Sequence, residues 1–179
     1  PGHLPDVMTV LRNGAAGVHV EVKGRAAHAG LAPGEERTTA PALIPPLANN
    51  DVFPKTGDGI TMNLTVRQAG TRDNIIPEDA AATYSVRIRE KADLAKVMAV
   101  VEKNAQTTAV PDTKVRVWRQ EPFFPPLPEN PGTDALAARA EAIYAGIGKT
   151  ITRGGNGGAS ESALAYEGGE FPKFLVPLF

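Results

Sequence analysis

The chain of 179 residues carries 19 basic against 20 acidic side chains, a net charge of −1, and is 42% hydrophobic. Such a chain can bury one ordinary core or two small ones, which excludes a disordered or fibrous class, and it has no basic cluster to neutralise a phosphate backbone, so no nucleic acid is expected as partner. No apolar run approaches the roughly 20 residues of a membrane helix, Pro1 to Asp6 lacks the layout of a signal peptide, and with no cysteine any metal would need histidine and carboxylate ligands. No membrane partner is expected, and the compartment stays open.

Val18 to Lys23 alternates apolar and polar residues at period two, the pattern of a half-buried strand. Gly24-Arg25-Ala26-Ala27-His28-Ala29-Gly30-Leu31-Ala32-Pro33 follows, placing one histidine among very small side chains where the strand ends. From Glu35 to Asn50, apolar residues at helical spacing are interrupted by Pro41, Pro45 and Pro46, which predicts a short or broken helix. Ile60 to Val66 and Ala82 to Ile88 alternate again, joined by an irregular loop over Gly70 to Glu78. Lys91 to Thr108 places Leu94, Val97, Met98, Val101 and Ala105 on one stripe, an amphipathic helix, and Lys114 to Arg119 alternates once more. The order strand, helix, strand, strand, helix, strand is the split βαβ pattern of an α+β ferredoxin-like domain, an antiparallel sheet with two helices on one face.

Glu121 to Pro128 is proline-rich and reads as an extended connector at a domain boundary. Beyond it a helix from about Gly132 to Tyr144, capped by Asn130 or Thr133 and ended near Gly146 or Gly148, is followed by a short strand, Thr150 to Thr152. A glycine-rich loop is expected over Arg153 to Ser160, then a helix over Glu161 to Glu167 and a buried strand over Lys173 to Phe179. This second part reads as a portion of an α/β sheet domain.

His28 is uncrowded enough to serve as an oxyanion donor or substrate-orienting group, although an isolated histidine is also commonly structural. His19, alternating with valines, reads as structural or solvent-facing, and His3 as incidental. Asn74 in Asp73-Asn74-Ile75-Ile76-Pro77 fits either turn chemistry or ligand binding. Arg87 points away from the apolar face, toward solvent or toward a carboxylate that its planar fork would suit. The loop from Gly154 to Ser160, ahead of a helix, offers backbone amides to an anion, but it has neither the phosphate-loop nor the dinucleotide spacing, which leaves a carboxylate. Neither a nucleophile elbow nor a close metal-ligand spacing of histidines occurs.

Gly24 to Gly30 with Ala32-Pro33, Asp73 to Pro77, Ser85-Val86-Arg87 and Gly157-Gly158-Ala159-Ser160-Glu161 together resemble the M20 family of zinc-dependent peptidases and deacylases, most closely its glutamate carboxypeptidase branch. The resemblance implies that residues 14–123 form the family's lid, or dimerisation, domain and that residues 1–13 and 124–179 belong to its catalytic domain. It also implies that His28 reaches the partner subunit's active site and polarises the scissile carbonyl. Asn74 and Arg87 would hold the substrate's terminal carboxylate, with Gly157, Gly158, Ala159 and Ser160 contacting it from the catalytic domain. The implied enzyme is a homodimer that cleaves a small peptide or N-acyl amino acid with two zinc ions. The family's zinc ligands precede the region matched by Pro1 or follow that matched by Phe179, so this chain would carry none and would be inactive alone. Thr38 stands where an asparagine is common and Glu161 replaces the usual aspartate. Glu121 lies near a position where glutamate-preferring members carry an arginine before proline, which counts against glutamate specificity. The alternative is a non-catalytic ferredoxin-like dimerisation or ligand-binding module, with His28 a structural residue at a strand end.

Overall fold

The computed structural model describes residues 6–28, 59–72, 74–107 and 113–167. The helix expected over Glu35 to Asn50 and the strand expected over Lys173 to Phe179 lie outside them. The chain divides into two units, one of Ala16–Arg87 and Ala92–Phe123, the other of Pro1–Ala15, Ile88–Lys91 and Phe124–Phe179.

The first unit is built on a mixed α/β arrangement around a four-stranded sheet. Its strands are β2 (Gly14–Lys23), β4 (Thr61–Ala69), β6 (Asp79–Ile88) and β7 (Lys114–Arg119), in the order β4-β6-β2-β7. β2 pairs antiparallel with β7, Val18 opposite Arg119, and β4 pairs antiparallel with β6, Thr61 opposite Arg87. The alternation in the sequence becomes an alternation in burial: Val18, Val20 and Val22 on β2 and Ala80, Ala82, Tyr84 and Val86 on β6 are buried, while the residues between them are half-buried. Helix α1 (Lys91–Gln106) adds a buried stripe of Leu94, Val97, Val101 and Ala105. Its N-terminal Asp93 is buried and pairs with Lys96 at 2.7 Å. Each fully buried valine or leucine is worth about 1.5–3 kcal/mol of removal from water, so these two sets are the core of the unit.

The odd-numbered residues of β2 and β6 form the opposite, open face. His19 Nδ1 lies 3.1 Å from Thr83 Oγ1 across that face. The loop expected between β4 and β6 contains a two-residue strand, β5 (Ile75–Ile76), which pairs antiparallel with β3 (Ala27–His28). Neither short strand has the length to show a period in sequence.

In the second unit β1 (Val7–Arg12) runs parallel to β8 (Thr152–Asn156). Helix α2 (Pro131–Gly146) starts at Asn130, whose side-chain oxygen accepts from Thr133 N at 3.0 Å, a cap worth about 1 kcal/mol. Met8, Val10 and Ala137 form the core, with Ala140 and Ile151 packed against it. The connector is paired rather than free: Arg12 and Leu127 exchange two backbone bonds of 2.9 Å, and Ala15 and Phe124 exchange bonds of 2.8 and 2.9 Å. Pro125 and Pro126 fall between those bonded residues, where no N–H is required.

The glycine-rich loop expected from Arg153 to Ser160 is corrected by β8, which takes in Arg153, Gly154, Gly155 and Asn156. A Cβ at Gly154 would sit 2.7 Å from Val7 Cγ1, and one at Gly155 would overlap the Leu11 side chain. Glycine is there because β1 packs its side chains across β8, a tertiary demand that local turn propensity hides. A short helix, α3 (Ser162–Glu167), follows.

Candidate functional site

His28 is the second residue of β3 and stands opposite Ile75, so its backbone is placed beside the segment that begins at Asn74. Gly24 N–H donates to Glu78 O at 2.8 Å, which closes the end of β2 against the start of β6 at that same end of the sheet. A cavity of about 500 Å³ opens there, lined among others by Glu21, Arg72, Ile75, Pro77, Glu78 and Ala81. His28 and Asn74 therefore share one end of the unit.

Arg87 does not join them. It lies near the far end of β6, opposite Thr61 on β4, on the open face and half-buried. The run from Asp79 to Arg87 spans roughly 26 Å at a strand's 3.3 Å per residue. Among the described residues no acidic side chain pairs with its guanidinium. An arginine half removed from water without a counter-charge is well suited to bind a carboxylate.

Gly157, Gly158, Ala159 and Ser160 belong to the other unit and link β8 to α3. Ser160 is engaged within its own turn, with its Oγ 2.8 Å from Ser162 Oγ and 3.3 Å from Ser162 N. The described part of the helix that follows spans Ser162–Glu167. Ahead of the loop, Arg153 is also committed. Its Nε and Nη2 donate to Glu141 at 2.8 and 2.9 Å, and its Nη1 to Asp134 at 3.2 Å. The hydrogen bond from Arg153 holds the Glu141 carboxyl below its ordinary value, and the same bond raises the Arg153 guanidinium further above its own.

Among the described residues no group of three or more histidine, aspartate or glutamate side chains could hold a metal ion. The residues described here therefore do not fit a zinc pair. Nor is any helix among them long and apolar enough to cross a membrane. His19 gains a place that its alternation with valines did not announce. Its ring stacks on Trp118 with centroids 5.2 Å apart, on the open face that also carries Arg87. The signal lay in the shared odd parity of β2 and β6.

A model of the peptidase dimerisation domain matches residues 10–113. The chain is 32% identical over 159 residues to carboxypeptidase G2 of Pseudomonas sp. strain RS-16, a match covering 86% of this chain and 37% of that protein. Among solved structures it resembles the aminopeptidase PepT of Bacillus cereus, with a TM-score of 0.76 and 21% identity over 93% of this chain and 44% of the other. It also resembles an aminobenzoyl-glutamate utilization protein of Klebsiella pneumoniae, with a TM-score of 0.69 and 20% identity over 95% of this chain and 46% of the other. The chain thus spans less than half the length of these relatives. With the dimerisation-domain model covering more than half of its residues, the chain belongs to the M20 peptidase family.

Proposed function

We propose that the chain is the lid-bearing part of an M20-type hydrolase that cleaves an amide bond beside a carboxylate-bearing residue of a small peptide or N-acyl amino acid. The observation that carries this reading is the separation of His28 and Asn74 from Arg87 within one unit. Arg87 lies roughly 26 Å along β6 from Asp79, the end of the unit at which β3 and β5 pair, which is too far for one copy to grip a single small substrate, whereas two copies related by a two-fold axis can each contribute one end. In this arrangement Arg87 holds the substrate carboxylate within its own subunit. His28, with Asn74 beside it, comes from the partner, and its imidazole donates to the scissile carbonyl oxygen as negative charge develops there. Gly157, Gly158, Ala159 and Ser160 are assigned to substrate binding.

The strand order β4-β6-β2-β7, with α1 between β6 and β7, supports a ferredoxin-like βαββαβ lid over residues 14–123. Seven of the nine residues of the edge strand β4 are exposed, among them Leu64 at 39% and Val66 at 52%, which suits pairing of the lid with a second copy. Residues 1–13 and 124–179 are assigned to the catalytic domain. Leu136 and Ile143 on α2 and Ile147 at its C-cap are 40%, 59% and 64% exposed, the kind of surface the remainder of such a domain would cover. The two zinc ions of the complete enzyme are assigned to residues outside this chain.

The test is hydrolysis of N-acyl amino acids by the full-length dimeric protein. His28→Ala should lower turnover about 10²- to 10³-fold, the usual cost of one oxyanion donor, with bound zinc unchanged. Unaltered turnover removes His28 from the reaction. No hydrolysis by the zinc-loaded wild type would instead leave a non-catalytic dimerisation module.

A further inference from the structure

His19, Gln120 and Arg87 share the open face of the sheet, and three contacts fix their relative places. Gly24 N–H bonds Glu78 O at 2.8 Å, Lys23 Nζ lies 3.9 Å from Asp79 Oδ1, and His19 Nδ1 lies 3.1 Å from Thr83 Oγ1. All three obey one antiparallel register between β2 and β6, which sets Gly17 opposite Ser85 and Arg87 one row beyond. On the other side Gln120 N–H donates to Gly17 O at 2.8 Å, and on β4 Asn63 stands opposite Ser85. One row across the face therefore reads Asn63, Ser85, Gly17, Gln120.

Gly17 carries no side chain, and Gln120 uses the space. A Cβ on Gly17 would lie 2.9 Å from Gln120 Oε1 and 3.4 Å from His19 Nε2, so the carboxamide lies down on the strand with the imidazole nitrogen close beside it. The imidazole is held in place. Its Nδ1 is taken by Thr83, and its face stacks on Trp118 at an interplanar angle of 17°, itself covered by the Arg116 guanidinium 4.9 Å from the ring centroid. That leaves Nε2 directed to the Gly17 row. Arg87 lies on the diagonal from Gly17, a Cα separation of about 7–8 Å, the scale of one amino-acid side chain.

We propose that His19 Nε2 and the Gln120 carboxamide, brought together over Gly17, form a specificity subsite for the carboxamide end of an amino-acid side chain. This rests on the reading of Arg87 as the group that holds the ligand's carboxylate. The chemistry matches: Gln120 offers both a donor and an acceptor, the imidazole nitrogen offers a further one, and a primary amide needs both kinds. An apolar side chain of the same length would cover these groups without pairing them, which costs affinity.

The test is an NMR titration of the 179-residue chain with N-acetylglutamine and, separately, N-acetylmethionine. N-acetylglutamine is expected to bind about tenfold more tightly, the worth of one net hydrogen bond, and to shift the Gln120 side-chain amide and the His19 ring. Gly17→Ala, which displaces only the flexible end of Gln120, and Gln120→Leu should each bring the ratio to about one, whereas Arg87→Ala should weaken both ligands alike. Equal affinities in the wild type, or a ratio that survives both substitutions, overturns the subsite while the Arg87 effect stands. Indifference of both ligands to Arg87→Ala, or binding of neither, overturns the carboxylate reading itself.

Discussion

His28 and Arg87 stand at opposite ends of the same folded unit, His28 paired with Ile75 ahead of β6 and Arg87 opposite Thr61 near the close of it. Their separation makes a quantitative prediction for the assembled enzyme. If each active site takes its histidine from one subunit and its arginine from the other, full-length His28→Ala and Arg87→Ala proteins should each be nearly inactive. After subunit exchange, mixed dimers make up about half the population, and each holds one intact site. Activity should then return to about a quarter of the wild-type value. Exchange verified by mass spectrometry with no recovery of activity would show that no active site takes its histidine from one subunit and its arginine from the other.

The contact of Gly155 with Leu11 makes a second prediction. An alanine at 155 would put its Cβ into the Leu11 side chain, and the parallel pairing of β1 with β8 leaves the backbone little room to yield. Gly155→Ala should cost about 1–3 kcal/mol, the range for overpacking a filled site. Shortening the neighbour should relieve it, so Gly155→Ala with Leu11→Ala should be less destabilised than the sum of the two single changes. Denaturant melts of the four proteins measure this coupling, and strict additivity would mean that the two side chains do not meet.

The same contact explains why the sequence conveyed one unit better than the other. β2 and β6 bury one face and leave the other half-buried, so their alternation is written directly into the residues; β7 repeats it more weakly, with its valines half-buried, and α1 shows its stripe for the same reason as β2 and β6. β1 is apolar at Val7, Met8, Val10 and Leu11 with only Thr9 between them, so its sequence carries no period to recognise although only Met8 and Val10 are buried. β8 reads as a loop because its glycines answer to Val7 and Leu11, which lie nearly the whole chain away. For the candidate site, residue type pointed to His28, Asn74 and Arg87 individually. Their placement at two ends of one unit came only from strand order and register, which no local spacing encodes. For His19, alternation gave the face that its side chain takes, not the neighbours, Thr83 and Trp118, that it meets there.

Arg153 and Glu141 carry the third prediction. The hydrogen bond from Arg153 holds the Glu141 carboxyl below its ordinary value, with Arg153's charge adding to the effect and partial desolvation opposing it. A carboxyl group whose pKa is lower folded than unfolded contributes stability that is present above the unfolded value, about 4.3 for glutamate, and is lost as pH falls through the folded value. Arg153 is raised from an already high value and so stays charged across this range. Wild type and Glu141→Gln should therefore differ in melting temperature at neutral pH, with the wild type higher, and should converge as pH falls below about 4.3. Because the pair is exposed, added salt should narrow the neutral-pH gap. A gap that persists unchanged into acid and in high salt would assign the effect of the substitution to packing of the side chain against β8 rather than to its charge.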